Sequence, residues 1–216
     1  MKRLAPAGHP PMSRTDEELV ARSMNGDRES FNELVVRWQR PVYALAYRVI
    51  GREEDARDVS QEAFLRAFRA IKSFRGQAKF SSWIYRITLN LCRDWMRRER
   101  RRPLTLLAET PDISDAGSAA PTVEDMAAQR DLGQRVAAVM AQLPDEQRSA
   151  IVLKEYHGLT FQEIADLQGC PLSTVKTRLY QGLSVLRREL RSAGVPVPTP
   201  PARHGRAASR TPKDAR

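Results

Sequence analysis

The chain has 216 residues, room for two small domains or one of medium size, and carries a net charge of +10 with a pI near 10.2, so its default partner is a polyanion. Hydrophobic residues at 41 % support a core, and aromatics at only 6 % point to small helical bundles. No apolar run reaches the roughly 18 residues of a membrane span, the opening MKRLAPAGHPPMSR lacks a signal-peptide stretch, and two distant cysteines, Cys92 and Cys170, exclude a disulfide scaffold or a cysteine-rich zinc site.

Charge divides the chain. Residues 1–13 read as a disordered basic start. Residues 14–102 form a first basic domain. Residues 103–128 contain no Lys or Arg but hold Glu109, Asp112, Asp115, Glu124 and Asp125, so they read as a flexible acidic linker. Residues 129–192 form a second domain, and 193–216 a disordered basic, Pro-rich tail. The expected fold class is therefore all-α, with two small helical domains joined by the linker.

In chain order, Asp16, Glu17 and Glu18 open a helix at its positive end. Phe31, Leu34, Val35 and Trp38 follow at helical spacing. Pro41 marks a break or restart before VYALAYRVIG, which Gly51 ends. A helix beginning near Glu53 carries Phe64, Phe68 and Ile71 as an inward stripe. On a different face Asp58, Gln61, Glu62 and Leu65 sit at i, i+3, i+4 and i+7. That polar stripe with a terminal leucine suits docking to a basic partner helix. After Gly76, Ser81 or Ser82 is placed to cap a helix whose Ile84, Ile87, Leu91 and Trp95 point inward. Opposite them Arg86, Asn90, Arg93, Arg97 and Arg101 advance along one face. Six arginines between 93 and 102 outweigh Asp94 and Glu99, which favours phosphate binding. Phe74, Phe80, Trp83 and Tyr85 cluster just before this ridge, as core residues and as platforms for unpaired bases.

Beyond the linker, residues 159–182 (LTFQEIADLQGCPLSTVKTRLYQG) read as helix, tight turn, helix. Phe161, Ile164, Ala165 and Leu167 give the first helix an apolar side. Gly169 supplies a positive φ, Pro171 stops the first helix, and Ser173 or Thr174 caps the second. Val175 and Leu179 face inward, leaving Lys176, Thr177, Arg178 and Gln181 outward, with the reach and donors to read a major groove.

Three segments taken together resemble the extracytoplasmic-function sigma factors of the bacterial sigma-70 family, over roughly residues 16–192. They are DVSQEAFLRAFRAIKSFRG, FSSWIYRITLNLCRDWMRR and LPDEQRSAIVLKEYHGLTFQEIADLQGCPLSTVKTRLYQGLSVLRREL. The resemblance implies a region 2 bundle that docks on core RNA polymerase and melts the −10 element. It also implies a region 4 helix-turn-helix that reads the −35 element. By position it gives polymerase docking to Asp58, Gln61, Glu62 and Leu65. It gives −10 contacts to Trp83, Tyr85, Arg86, Asn90, Arg93 and Arg97, with Asn90 at the pocket for a flipped base. It gives −35 contacts to Ser173, Thr174, Lys176, Thr177, Arg178 and Gln181. The connector is expected to pass through the RNA exit region. Core RNA polymerase, promoter DNA and an anti-sigma factor are the implied partners, in the cytoplasm. No cofactor, metal, small-molecule substrate or membrane insertion is expected.

An enzyme reading lacks parts. His9, His157 and His204 are the three histidines, and no Gly-rich phosphate loop, nucleophile elbow or metal cluster occurs. His157, beside Gly158, reads as a helix-end residue. Two other functions use the same residues: a stand-alone helix-turn-helix regulator, and a sigma mimic that titrates an anti-sigma factor. The docking stripe favours a polymerase-bound factor over the stand-alone regulator, and run-off transcription with core enzyme separates it from the mimic.

Overall fold

The computed structural model describes residues 14–74, 76, 78–101 and 123–195. The N-terminal start, the basic tail beyond 195 and the linker acids Glu109, Asp112 and Asp115 lie outside them. All regular structure among the described residues is helical: α1 (Asp16–Met24), α2 (Arg28–Ile50), α3 (Glu53–Ala70), α4 (Phe80–Glu99), α5 (Val123–Gln142), α6 (Asp145–Ile151), α7 (Phe161–Gln168) and α8 (Leu172–Ser192).

Local chemistry sets the ends of α1 and α2. Thr15 and Glu18 form a reciprocal capping box at the start of α1. Asp27 caps α2 by accepting from the Ser30 amide and hydroxyl, and Arg22 pairs with it. These bonds hold its carboxyl down to about 2. Gly51, at φ 83, ends α2 with a 2.7 Å bond from its amide to the Tyr47 carbonyl. Pro41 does not break the chain: α2 runs through it from Arg28 to Ile50. Phe31 and Leu34 before the proline, and Val42 and Leu45 after it, are all buried, so tertiary packing outweighs one missing helical bond.

The first bundle packs α2, α3 and α4 closely because α3 presents small residues. Ala56, Ala63 and Ala67 are fully buried along its inner side, followed by Ile71. This corrects the expected inward stripe. Phe64 is half-buried and Phe68 is 44 % exposed. Each lies one residue past an inner alanine, and one residue turns a helix by about 100°. Trp38 and Trp95 are held at the bundle edges by indole bonds to Asp16 (2.9 Å) and Asp55 (2.8 Å).

The expected serine caps are also corrected. Helix α4 begins at Phe80, after Lys79, so Ser81 and Ser82 already lie in its first turn. Helix α8 begins at Leu172, after Pro171, which places Ser173 and Thr174 inside it. Pro171 has φ −58, a helix-compatible value, and its carbonyl accepts the Thr174 amide at 2.9 Å. Neither start has a side-chain cap.

In the second bundle α8 crosses α6 at Gly182. An added Cβ there would stand 2.9 Å from Ile151 Cδ1 and 3.3 Å from Gln147 Cβ, so hydrogen is the side chain that fits. A π-helical turn, Val152–Tyr156, leads from α6 to His157. The two bundles are not separate globules. Their buried side chains form one contiguous cluster, joined where α2 and α4 meet α5 to α7.

Candidate nucleic-acid interface

The helix-turn-helix is built as the spacing requires. Thr160 and Glu163 form a second capping box at the start of α7, and its bonds hold the Glu163 carboxyl below its ordinary range. The T-x-x-E spacing that announces this box is present in the sequence but was not among the expected signals. Gly169 takes φ 64, and Val175 and Leu179 are buried beneath α8. Ser173, Lys176, Thr177 and Gln181 are exposed along its outer face, with Thr174 and Arg178 half-buried beside them. Arg178 is held in place: its Nη1 donates to Gln168 Oε1 at 2.8 Å and lies 3.2 Å from Cys170 Sγ. These bonds commit one terminal nitrogen to the α7 end of the motif and fix the orientation of the guanidinium before any base arrives. Cys170 thus contributes to positioning, whereas Cys92 is core, its thiol pushed up to about 12 by burial.

On α4 the basic ridge is present as expected. Arg86, Asn90, Arg97 and Arg101 are exposed and Arg93 half-buried, with Arg93 Nη1 bonded to Asn90 Oδ1 at 3.3 Å. Trp83 is half-buried against Phe74, at 4.9 Å between ring centroids, and Phe80, at 5.9 Å. Tyr85 departs from the expected DNA-facing position. It is 6 % exposed, packs edge-on against Trp38, and bonds His157 Nδ1 through its hydroxyl at 3.0 Å. Burial pushes its phenol up to about 12. Arg86 is exposed but already donates to the Asp166 carbonyl of α7 at 3.1 Å.

The structure brings Asp58, Gln61, Glu62 and Leu65 to one outer face of α3, with Glu62 paired to Arg66 at 2.8 Å. Beside them an open groove of about 1040 Å³ runs between α2 and α3. Gln61, Leu65 and Phe68 form one wall, Phe31 and Val35 the other, and Arg40 lies on its rim. Phe68, misplaced as core, meets Phe31 edge-on at 5.1 Å and belongs to this groove. The exposed apolar side chains Leu65 and Phe68 both lie on this flank, as at a protein-binding surface. Among the described residues no group of three or more His, Cys, Asp or Glu is arranged to hold a metal, and no helix is long and apolar enough to cross a membrane.

A basic helix beside a docking groove, joined in one chain to a helix-turn-helix, defines a helical DNA-reading protein that also carries a protein-binding face. Comparison with known proteins makes this specific. Residues 34–102 match the family model "Sigma-70 region 2" and residues 133–186 match "Sigma-70, region 4". The chain is 35 % identical over 181 residues to the ECF RNA polymerase sigma-E factor of Haemophilus influenzae, covering 82 % of this chain and 95 % of that protein. It is 37 % identical over 172 residues to the sigma-E factor of Escherichia coli K12, covering 77 % and 90 %. Among solved structures it resembles CnrH in complex with the cytosolic domain of CnrY, with TM-score 0.61 and 28 % identity over 82 % of this chain and 97 % of that one. The chain belongs to the extracytoplasmic-function sigma factors of the sigma-70 family.

Proposed function

We propose that this chain is an alternative sigma factor that binds core RNA polymerase and directs promoter-specific initiation without catalysing a reaction itself. The observation that carries the reading is the union, in one chain, of an oriented major-groove helix with a basic helix beside a polar and apolar docking face. The α3 face of Asp58, Gln61, Glu62 and Leu65, with the neighbouring groove, docks on the polymerase. Helix α8 reads the −35 element through Ser173, Thr174, Lys176, Thr177, Arg178 and Gln181. Helix α4 tracks the −10 strand through Arg86, Asn90, Arg93 and Arg97, with Trp83 as the stacking group. Each reader alone is weak, and holding both on one complex makes the second contact intramolecular. Unstacking a base costs a few kcal/mol, which pocket contacts around Asn90 and Trp83 offset. The structural relative was solved in complex with the cytosolic domain of CnrY, and a bound protein partner, an anti-sigma factor, is proposed here.

Reconstituting the chain with core polymerase and transcribing fragments of its own genome tests the reading. Defined run-off products that need both proteins support it. Tight, site-specific DNA binding by the chain alone, unchanged by polymerase, would instead favour a stand-alone regulator. No initiation from any fragment would favour the sigma mimic.

A further inference from the structure

The last side chain of α7 bridges the recognition helix and the helix behind it. Gly169, left-handed at φ 64, returns its amide to the Ala165 carbonyl and so fixes Gln168 as the final residue of α7. From there Gln168 Nε2 donates twice to α6, to the Glu146 carbonyl at 3.1 Å and to Ser149 Oγ at 3.0 Å. Ser149 is only 3 % exposed, and its hydroxyl in turn donates to the Glu146 carbonyl at 3.3 Å. Both amide hydrogens are thereby engaged, so the amide has one orientation and its Oε1 faces α8 as an acceptor. Arg178 Nη1 donates to that oxygen at 2.8 Å.

Nη1 of Arg178 carries two hydrogens. One goes to Gln168, and Cys170 Sγ, 3.2 Å away, accepts the other, so base contacts fall to Nε and Nη2. An arginine on a helix surface otherwise samples many rotamers, and ordering it on binding weakens recognition. Holding the guanidinium plane beforehand lowers that cost for the base pair its geometry matches. A mismatched pair meets donors that cannot swing aside. A neutral amide suits this task. A carboxylate at the same place would still accept from Arg178, but it has no hydrogen to give to Glu146 or Ser149.

We propose that Gln168 is a positioning residue for promoter choice: it carries the fixed frame of α6 to Arg178 and so sets the discrimination of the −35 reader without itself touching a base. The proposal rests on the assignment of Arg178 to −35 reading made above.

The test uses the full chain with core polymerase on a promoter mapped by run-off transcription, with each −35 base pair changed in turn. The readout is the ratio of transcripts from the original and altered promoters in one reaction. A variant that only destabilises the fold lowers both transcripts together and leaves the ratio in place. Gln168→Met keeps the length of the side chain and loses its hydrogen bonds. It is expected to lower discrimination at least about fivefold, the lower end of what one base-reading arginine supplies, at the same base pairs as Arg178→Ala. Gln168→Glu, which keeps an acceptor for Arg178, should lose less. Added to Arg178→Ala, Gln168→Met should change nothing further. Unchanged discrimination in Gln168→Met, an equal loss in both Gln168 variants, or a further loss on top of Arg178→Ala overturns the proposal. The two readings fail differently. Unchanged −35 choice in Arg178→Ala removes the base-reading assignment itself, whereas relaxed choice in Arg178→Ala with none in Gln168→Met sinks the positioning role alone.

Discussion

Acid should loosen the contact between the two bundles, because His157 is held neutral there. Two groups face its ring across the seam: the Tyr85 hydroxyl of α4 and the Arg48 guanidinium of α2. Burial is the larger influence and Arg48 adds to it, lowering the imidazole from 6.5 to about 4. Tyr85 stays neutral throughout, its phenol being pushed up to about 12. The open form returns His157 to water and to its ordinary value, so opening takes up a proton. The closed form therefore keeps its full stability above pH 6.5, loses it as the pH falls, and reaches the full loss below about pH 4. One unit corresponds to about 1.4 kcal/mol, so the whole shift is worth about 3 kcal/mol, of which about 2 kcal/mol is spent by pH 5. That is a change of about thirtyfold in the ratio of closed to open chain. Small-angle scattering between pH 7.5 and 5, with circular dichroism to follow helix content, measures it. The parent chain should expand while its helices persist, and His157→Gln should respond far less. A parent chain of constant radius across that range, or an equal response in His157→Gln, would refute the reasoning.

Other outcomes follow from single contacts. Gly182→Val should lower stability by about 1–3 kcal/mol in chemical denaturation, since its side chain enters the space of Ile151 and Gln147. Arg178→Ala should weaken −35 discrimination by about 1–3 kcal/mol in promoter competition with reconstituted holoenzyme, and unchanged promoter choice would remove its role. Gln61→Ala with Glu62→Ala should weaken binding to core polymerase while leaving helix content intact, as a fluorescence titration would read. Asn90→Ala should slow open-complex formation in stopped-flow measurements at equal core affinity.

Much of the candidate site could be read from the residues because it is written locally. The turn of the helix-turn-helix depends on Gly169 and Pro171 within a few positions of the helices they separate, and the ridge on α4 is a periodicity within one helix. The errors arose where packing decided the outcome. Phe68 fits an inward stripe by spacing, but Ala67 beside it occupies the narrow space between helices. Pro41 is an ordinary helix breaker that a buried apolar face overrides. Ser81, Ser82, Ser173 and Thr174 have capping chemistry, yet Lys79 and Pro171 stand where the helices begin. The seam had no local signature. Arg148 meets Val49 across 99 positions and Tyr85 meets His157 across 72, separations that no hydrophobic period records. His157 was legible as a helix end, but its partner was not.

Mapping the 5′ ends of RNAs made by core polymerase with this chain tests the central claim most directly. Starts should lie downstream of two sequence blocks at constant spacing, and Arg178→Ala should relax only the upstream block. An absence of starts that depend on the chain, or starts that share only one block, would contradict the account.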